Sequence, residues 1–208
     1  FERKVRSQLA QEPPKIVGIA ITFQDQVIPA FSLADSIRRL APDIAIVLGG
    51  QMVTRCYQSM IEHEGIKQFF DYLVLWDGEA PLLDLHRKLV RGEDVEFVNI
   101  VPTTDEPFSV IRRAATIKGS NLPSPDFDDI NFSDYLFPET LIPLQTTRGC
   151  YANCSFCAIP YGSNRYRVRP AVHVADEIER VQELTLRKYG RPATYFKFME
   201  DTSAPSTL

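Results

Sequence analysis

The sequence predicts an α/β protein of two domains, a doubly wound parallel sheet followed by the opening β/α units of a barrel. Three observations carry this expectation. Short apolar, β-branched runs at 15–22, 44–48 and 69–76 alternate with stretches of helical periodicity, the order that builds right-handed βαβ units. The proline- and aspartate-rich stretch Pro123-Ser124-Pro125-Asp126-Phe127-Asp128-Asp129 then interrupts the alternation. Beyond it a new strand-helix-strand pattern begins, and three cysteines follow its first strand.

In the first domain, Ile16-Val17-Gly18-Ile19-Ala20-Ile21 is continuously apolar, the pattern of a parallel strand buried on both faces. Val27, Phe31, Ala34, Ile37 and Leu40 recur at helical spacing over 26–41, with Arg38 and Arg39 in the last turn, where cations suit the helix dipole. Pro42-Asp43 ends that helix, and the next strand, Ile44-Ala45-Ile46-Val47-Leu48, stops on Gly49-Gly50. A helix over 55–64, a strand over 69–76 and a helix over 81–90 complete the regular part. Periodicity then fades, leaving 98–102 and 108–117 as candidate short strands. The expected boundaries are 1–115 for the first domain, 116–140 for a linker with a solvated acidic surface, and 141–208 for the second domain.

The second domain opens with Leu141-Ile142-Pro143-Leu144-Gln145-Thr146-Thr147, a strand that delivers Arg148-Gly149-Cys150 to its carboxyl end. Pro170 starts a helix where a missing N–H does no harm. Val174, Ile178, Val181 and Leu184 form its inner face, while Asp176, Glu177, Glu179 and Arg180 are expected to point mostly outward. Gly190 is placed to cap it, and a strand over 194–199 leads into Glu200-Asp201. These are the first strand, first helix and second strand of a β/α barrel, whose active sites lie at the carboxyl ends of the strands.

Composition narrows the class. The 208 residues are 44% hydrophobic and 24% charged, an ordinary globular balance, and the net charge of -4 excludes a global basic field for nucleic acid. Arg165, Arg167 and Arg169 form a local stripe, open to reading as a carboxylate or substrate contact or as surface ion pairs. No apolar run approaches the roughly 20 residues needed to span a bilayer, and Phe1-Glu2-Arg3-Lys4 is too charged for a secretory segment. A cytoplasmic, reducing location is expected. Both ends read as cut, since the chain starts on Phe1 and stops shortly after its last strand.

The chemistry concentrates in Cys150-Tyr151-Ala152-Asn153-Cys154-Ser155-Phe156-Cys157, which puts three thiolates on one short loop. Iron-sulfur clusters are held by cysteine thiolates, and a loop supplying three to a four-iron cluster leaves one iron open for another ligand. A structural zinc site wants a fourth Cys or His, and no second C-x2-C or H-x3-H pair is present. A disulfide with a spare thiol fits poorly with four cysteines and no signal peptide. Cys56 reads as an isolated thiol.

The C-x3-C-x2-C spacing, with Phe156 before the last cysteine, resembles the loop of radical S-adenosylmethionine (radical SAM) enzymes. Together with the segments at 42–54 and 70–82, the Pro-x-Pro-Asp-Phe-Asp-Asp stretch at 123–129 and Thr147-Arg148-Gly149-Cys150, the chain resembles radical SAM enzymes that carry an amino-terminal cobalamin-binding domain. The resemblance implies a Rossmann-like, cobalamin-binding sheet short of its first strands, then a partial TIM-like barrel truncated after its second strand. It implies a 4Fe-4S cluster on Cys150, Cys154 and Cys157, with S-adenosylmethionine on the open iron, cleaved to a 5'-deoxyadenosyl radical.

By the same resemblance Phe156 lies near the adenine, and Glu200 and Asp201 hold the methionyl amino group, although the family's usual Gly-Gly-Glu is absent. Gly49 and Gly50 would contact the cobalamin nucleotide tail, with Thr22 as a small polar contact; the competing reading of Gly49-Gly50 is a tight turn without a ligand. The Asp-x-His-x-x-Gly loop whose histidine ligates cobalt in other cobalamin proteins is missing, and His63 has the wrong context. The implied activity is methylation of an unactivated carbon on a small-molecule or peptide substrate, with an electron donor such as flavodoxin or ferredoxin. Some members perform rearrangement or ring closure instead. Two rivals stand beside it. Cys157-Ala158-Ile159-Pro160-Tyr161-Gly162 resembles the radical SAM methylthiotransferases, which need three more cysteines in the first domain, where this chain has Cys56. The other is a non-catalytic cobalamin- or cluster-binding module.

Overall fold

The computed structural model describes residues 2–11, 13–104, 118–137, 139–152, 154–157 and 166–202. The chain divides into two compact units, Phe1–Ala115 and Thr116–Leu208. The candidate strand at 108–117 and Arg165 lie outside the described residues.

In the first unit the elements run α1 (Glu2–Gln11), β1 (Ile16–Ala20), α2 (Val27–Leu40), β2 (Ala45–Gly49), α3 (Gln51–Ile61), β3 (Tyr72–Val74), α4 (Glu79–Arg91) and β4 (Ile100–Pro102). The sheet order is β1-β2-β3-β4, with β1, β2 and β3 parallel. Alternation along β2 sends its side chains both ways. Ile46 and Leu48 pack with Ala34 and Ile37 of α2 and Val53 of α3, while Val47 packs with Val74, Ile100 and Leu85 of α4. Helices therefore cover both faces. Asp71 ties three elements together, since its Oδ2 accepts from Arg38 Nη2 at 2.9 Å and from Ile46 N at 2.7 Å.

The sheet is mixed, where the alternating pattern predicts a purely parallel one: β4 runs antiparallel to β3. The cause lies between α4 and β4. Arg87 Nε pairs with Glu93 at 2.7 Å, Lys88 Nζ sits 5.0 Å over the Phe97 ring, and Phe97 meets Tyr72 edge-on at 5.7 Å. These contacts carry the chain back along α4, and Asn99 turns it at φ 58° into a descending strand. Two helix starts also differ from the expectation. The ten residues of α1 pack Val5 and Leu9 onto the core, and α3 begins at Gln51, directly on Gly50. At the opposite edge, no strand pairs with the outer side of β1 among the described residues, and Gly18 and Ala20 are exposed.

In the second unit β5 (Leu141–Leu144) pairs in parallel with β8 (Tyr195–Phe198) across α5 (Ala171–Tyr189). Val181 and Leu184 of α5 pack on Ile142, and Phe127 joins them from the stretch expected to be a linker. Gly190 ends α5 in the left-handed conformation at φ 71°, which a Cβ would disfavour. The strand expected over 141–147 breaks at Gln145 and Thr146. Its continuation, β6 (Thr147–Arg148), leaves β8 and pairs antiparallel with β7 (Arg167–Val168). Among the described residues this makes one β/α/β unit and a short ribbon, with no closed barrel.

Candidate functional site

The cysteine loop leaves the carboxyl end of β6, and its return strand is β7, so the ribbon closes the loop at its base. All three thiols are free; Cys150 and Cys157 are half-buried and Cys154 is exposed. Cys157 N donates to Cys154 O at 3.0 Å, forming a turn, and Ala152 N donates to Cys150 Sγ at 3.3 Å. Among the described residues no group of three or more His, Cys, Asp or Glu is drawn together as a metal site. The donor set nevertheless fits a cluster in kind, because three thiols on one loop are the ligands that iron-sulfur chemistry uses.

Glu200 and Asp201 follow β8 and are bonded to the strand that carries the loop. Glu200 Oε1 accepts from Thr146 N at 3.0 Å and from the Thr146 hydroxyl. Asp201 Oδ2 accepts from Gly149 N at 3.1 Å, and the Thr147 hydroxyl donates to Thr202 O at 2.8 Å. Gly149, between β6 and Cys150, is buried at φ 82°, a left-handed conformation that suits glycine. These carboxylates therefore brace the approach to the first cysteine. Phe156, directly before Cys157, is 90% exposed.

Tyr166, just before β7, lies against Tyr151 at 5.4 Å between ring centres, edge to face. Its hydroxyl is shielded from solvent and has no hydrogen-bond partner among the described residues. Burial pushes the phenol above its ordinary pKa of 10.0, and the negative charges of Glu200, Tyr151 and Cys150 push the same way.

The arginine stripe takes a form the sequence leaves open between contact and surface. Arg167 and Arg169 are both buried, and Arg169 Nη2 pairs with Glu177 Oε2 at 2.7 Å. Glu177 is buried as well, against the expectation that it points outward: Arg169 reaches it from the segment between β7 and α5, and helical spacing carries no sign of that partner. Gly119 is a second residue without a sequence signal. A Cβ there would fall 2.7 Å from Val168 C, so only glycine lets this segment lie against β7.

The remaining predicted contacts belong to the first unit. Thr22 is exposed after β1, its N–H donating to Gln26 Oε1 at 2.8 Å. Gly49 and Gly50 end β2 at the same edge, where Ile21 N donates to Gly49 O at 2.8 Å. Gly50 has φ 105° and ψ 169°, a region open essentially to glycine alone, and a Cβ would lie 2.8 Å from Ile21 N. The close approach of the two backbones accounts for Gly50 without any ligand.

No protein-family model matches the chain. It is similar to the anaerobic magnesium-protoporphyrin IX monomethyl ester cyclase of Rubrivivax gelatinosus, 29% identical over 192 residues that cover 86% of this chain and 33% of that protein. It is also similar to the protein of the same name from Cereibacter sphaeroides, 28% identical over 207 residues that cover 86% of this chain and 30% of that one. The chain thus spans about a third of the length of the curated relatives it matches. The similarity is to enzymes, cyclases by name, and at 86% of the chain it reaches into both units.

Proposed function

We propose that this chain is the cofactor-binding part of a radical SAM enzyme, with Cys150, Cys154 and Cys157 holding a 4Fe-4S cluster. The observation that carries the reading is the loop itself: three free thiols between β6 and β7, its base braced by Glu200 and Asp201. Similarity to enzymes named as anaerobic cyclases agrees with an oxygen-sensitive cofactor. When bound, the cluster supplies the electron that splits S-adenosylmethionine, yielding a radical able to take hydrogen from an unactivated carbon. The chain's own residues place the reactants. Glu200 and Asp201 fix the approach to the loop and would hold the methionyl amino group, and the exposed Phe156 would lie near the adenine.

Ring closure is the outcome favoured by the relatives' names. Methyl transfer through cobalamin, which the family resemblance implies, draws no support beyond that resemblance. In this reading the first unit is the Rossmann-like cobalamin domain, with Thr22, Gly49 and Gly50 at the ligand edge of the sheet. The substrate is a small molecule or peptide, and flavodoxin or ferredoxin delivers the electron. Hydroxocobalamin uptake with a shifted visible spectrum tests the cobalamin part; an unchanged spectrum removes it.

Iron counting after anaerobic reconstitution tests the whole reading. About four irons per chain are expected, lost when any of Cys150, Cys154 or Cys157 becomes serine and retained in Cys56→Ser. About eight would favour a methylthiotransferase. No iron would end the radical SAM reading, and iron without 5'-deoxyadenosine after reduction with S-adenosylmethionine would leave a non-catalytic binding module.

A further inference from the structure

Arg169 and Glu177 form a fully buried ion pair in the second unit, their side chains 4% and 1% exposed and 2.7 Å apart. Burying two opposite charges gains little net stability, because lost hydration offsets their attraction unless the remaining donors and acceptors are satisfied. Here two are not: Arg169 Nε and Glu177 Oε1 have no hydrogen-bond partner among the described residues. An apolar pair of similar volume would hold this core at least as well.

An apolar pair could not aim a guanidinium. Glu177 stands in the second turn of α5, on a rigid element, and fixes one arm of the planar fork. The other arm, Nη1, donates to Gln145 O at 2.8 Å, and the Arg169 backbone N–H donates to Thr146 O at 2.8 Å. Gln145 and Thr146 are the two residues at which the chain leaves β5 and enters β6, just ahead of Cys150. Glu200 Oε1 accepts from the N–H of the same Thr146.

We infer that the Arg169–Glu177 pair is a positioning device that sets the β5–β6 junction and, through it, the grip of the cysteine loop on its cluster. The inference rests on the reading that these cysteines hold an iron-sulfur cluster. Neither residue is among the proposed ligands; both act through the Gln145 and Thr146 carbonyls and the strand beyond them. Partners that orient metal ligands from outside the ligand set typically govern affinity by about 10- to 100-fold.

The test uses the full chain, reconstituted anaerobically with iron and sulfide and then challenged with a chelator. Wild type is compared with Arg169→Lys and with the double variant Arg169→Met/Glu177→Leu. Iron-release rate, the electron paramagnetic resonance spectrum of the reduced cluster and the thermal midpoint are read for each. The double variant is expected to keep the wild-type midpoint while releasing iron roughly tenfold faster with an altered spectrum. Arg169→Lys keeps a charge opposite Glu177 but loses the planar fork, so faster release is expected there too, and it decides the matter if the double variant fails to fold. Unchanged release and spectra, or release that rises only in step with a falling midpoint, overturn the inference and leave a structural pair. A wild-type chain that takes up no iron overturns the cluster reading and this inference together; iron held equally by all three forms overturns this inference alone.

Discussion

Gly50 separates two reasons for which a glycine ends a strand. Its φ of 105° and the Ile21 backbone beside it demand the absence of a side chain whatever binds nearby. Gly50→Ala is expected to destabilise the chain by about 2–3 kcal/mol, read as a shift in the urea midpoint with no cobalamin present. A variant as stable as wild type would return the glycine to a ligand role. Tyr166 makes a pH-dependent prediction. Its folded pKa is raised, so the stability it contributes is fully present below the ordinary tyrosine value of 10.0 and is lost as pH rises through the higher folded value. In the metal-free chain, ultraviolet titration should show one phenol ionising late, and Tyr166→Phe should remove it. The same delayed phase in the variant would sink the assignment. The cysteine triplet was legible in the sequence because its spacing is local. Glu177 was not, because a helical glutamate among charged neighbours looks solvated until its partner from another segment is placed.

At the scale of elements, Asp71 shows how one carboxylate organises the first unit. It stands ahead of β3, receives the Ile46 N–H of β2 and pairs with Arg38 of α2. Both ends of the ion pair are partly exposed, so the charge contributes little. The acceptor for a buried backbone N–H matters more. Asp71→Ala is expected to cost about 1–3 kcal/mol in chemical denaturation, and Asp71→Asn, which keeps an acceptor, less than that. Equal losses in the two variants would shift the weight back to the charge. The helices and strands of this unit were readable because period and burial agree along them. The direction of β4 was not, because it depends on Glu93 and Phe97 folding back against Arg87 and Lys88 of α4, and on Phe97 meeting Tyr72. The helix α1 leaves little trace in the sequence, because its inner face is Val5 and Leu9 among charges. The break between β5 and β6 likewise depends on what Gln145 and Thr146 meet, not on their own propensities.

At the scale of the whole molecule, the division at Ala115 and Thr116 places all three loop cysteines in the second unit. Ligand that binds the folded state raises the transition of whatever unit binds it. Scanning calorimetry of the anaerobic chain should therefore show two transitions, with iron and sulfide raising that of the second unit and leaving the first in place. A single transition that moves as one would show the units to be thermodynamically coupled. The last consequence concerns how the protein behaves in a tube. β1, Ile16–Ala20, is uncharged, and its outer backbone groups are unpaired among the described residues, which is the template on which chains stack into aggregates. Solubility should then be limited by that strand. Gly18→Lys, at a site with nothing within 4 Å of a new Cβ, should raise the concentration at which light scattering begins without lowering the melting point. An unchanged threshold would locate the stickiness elsewhere.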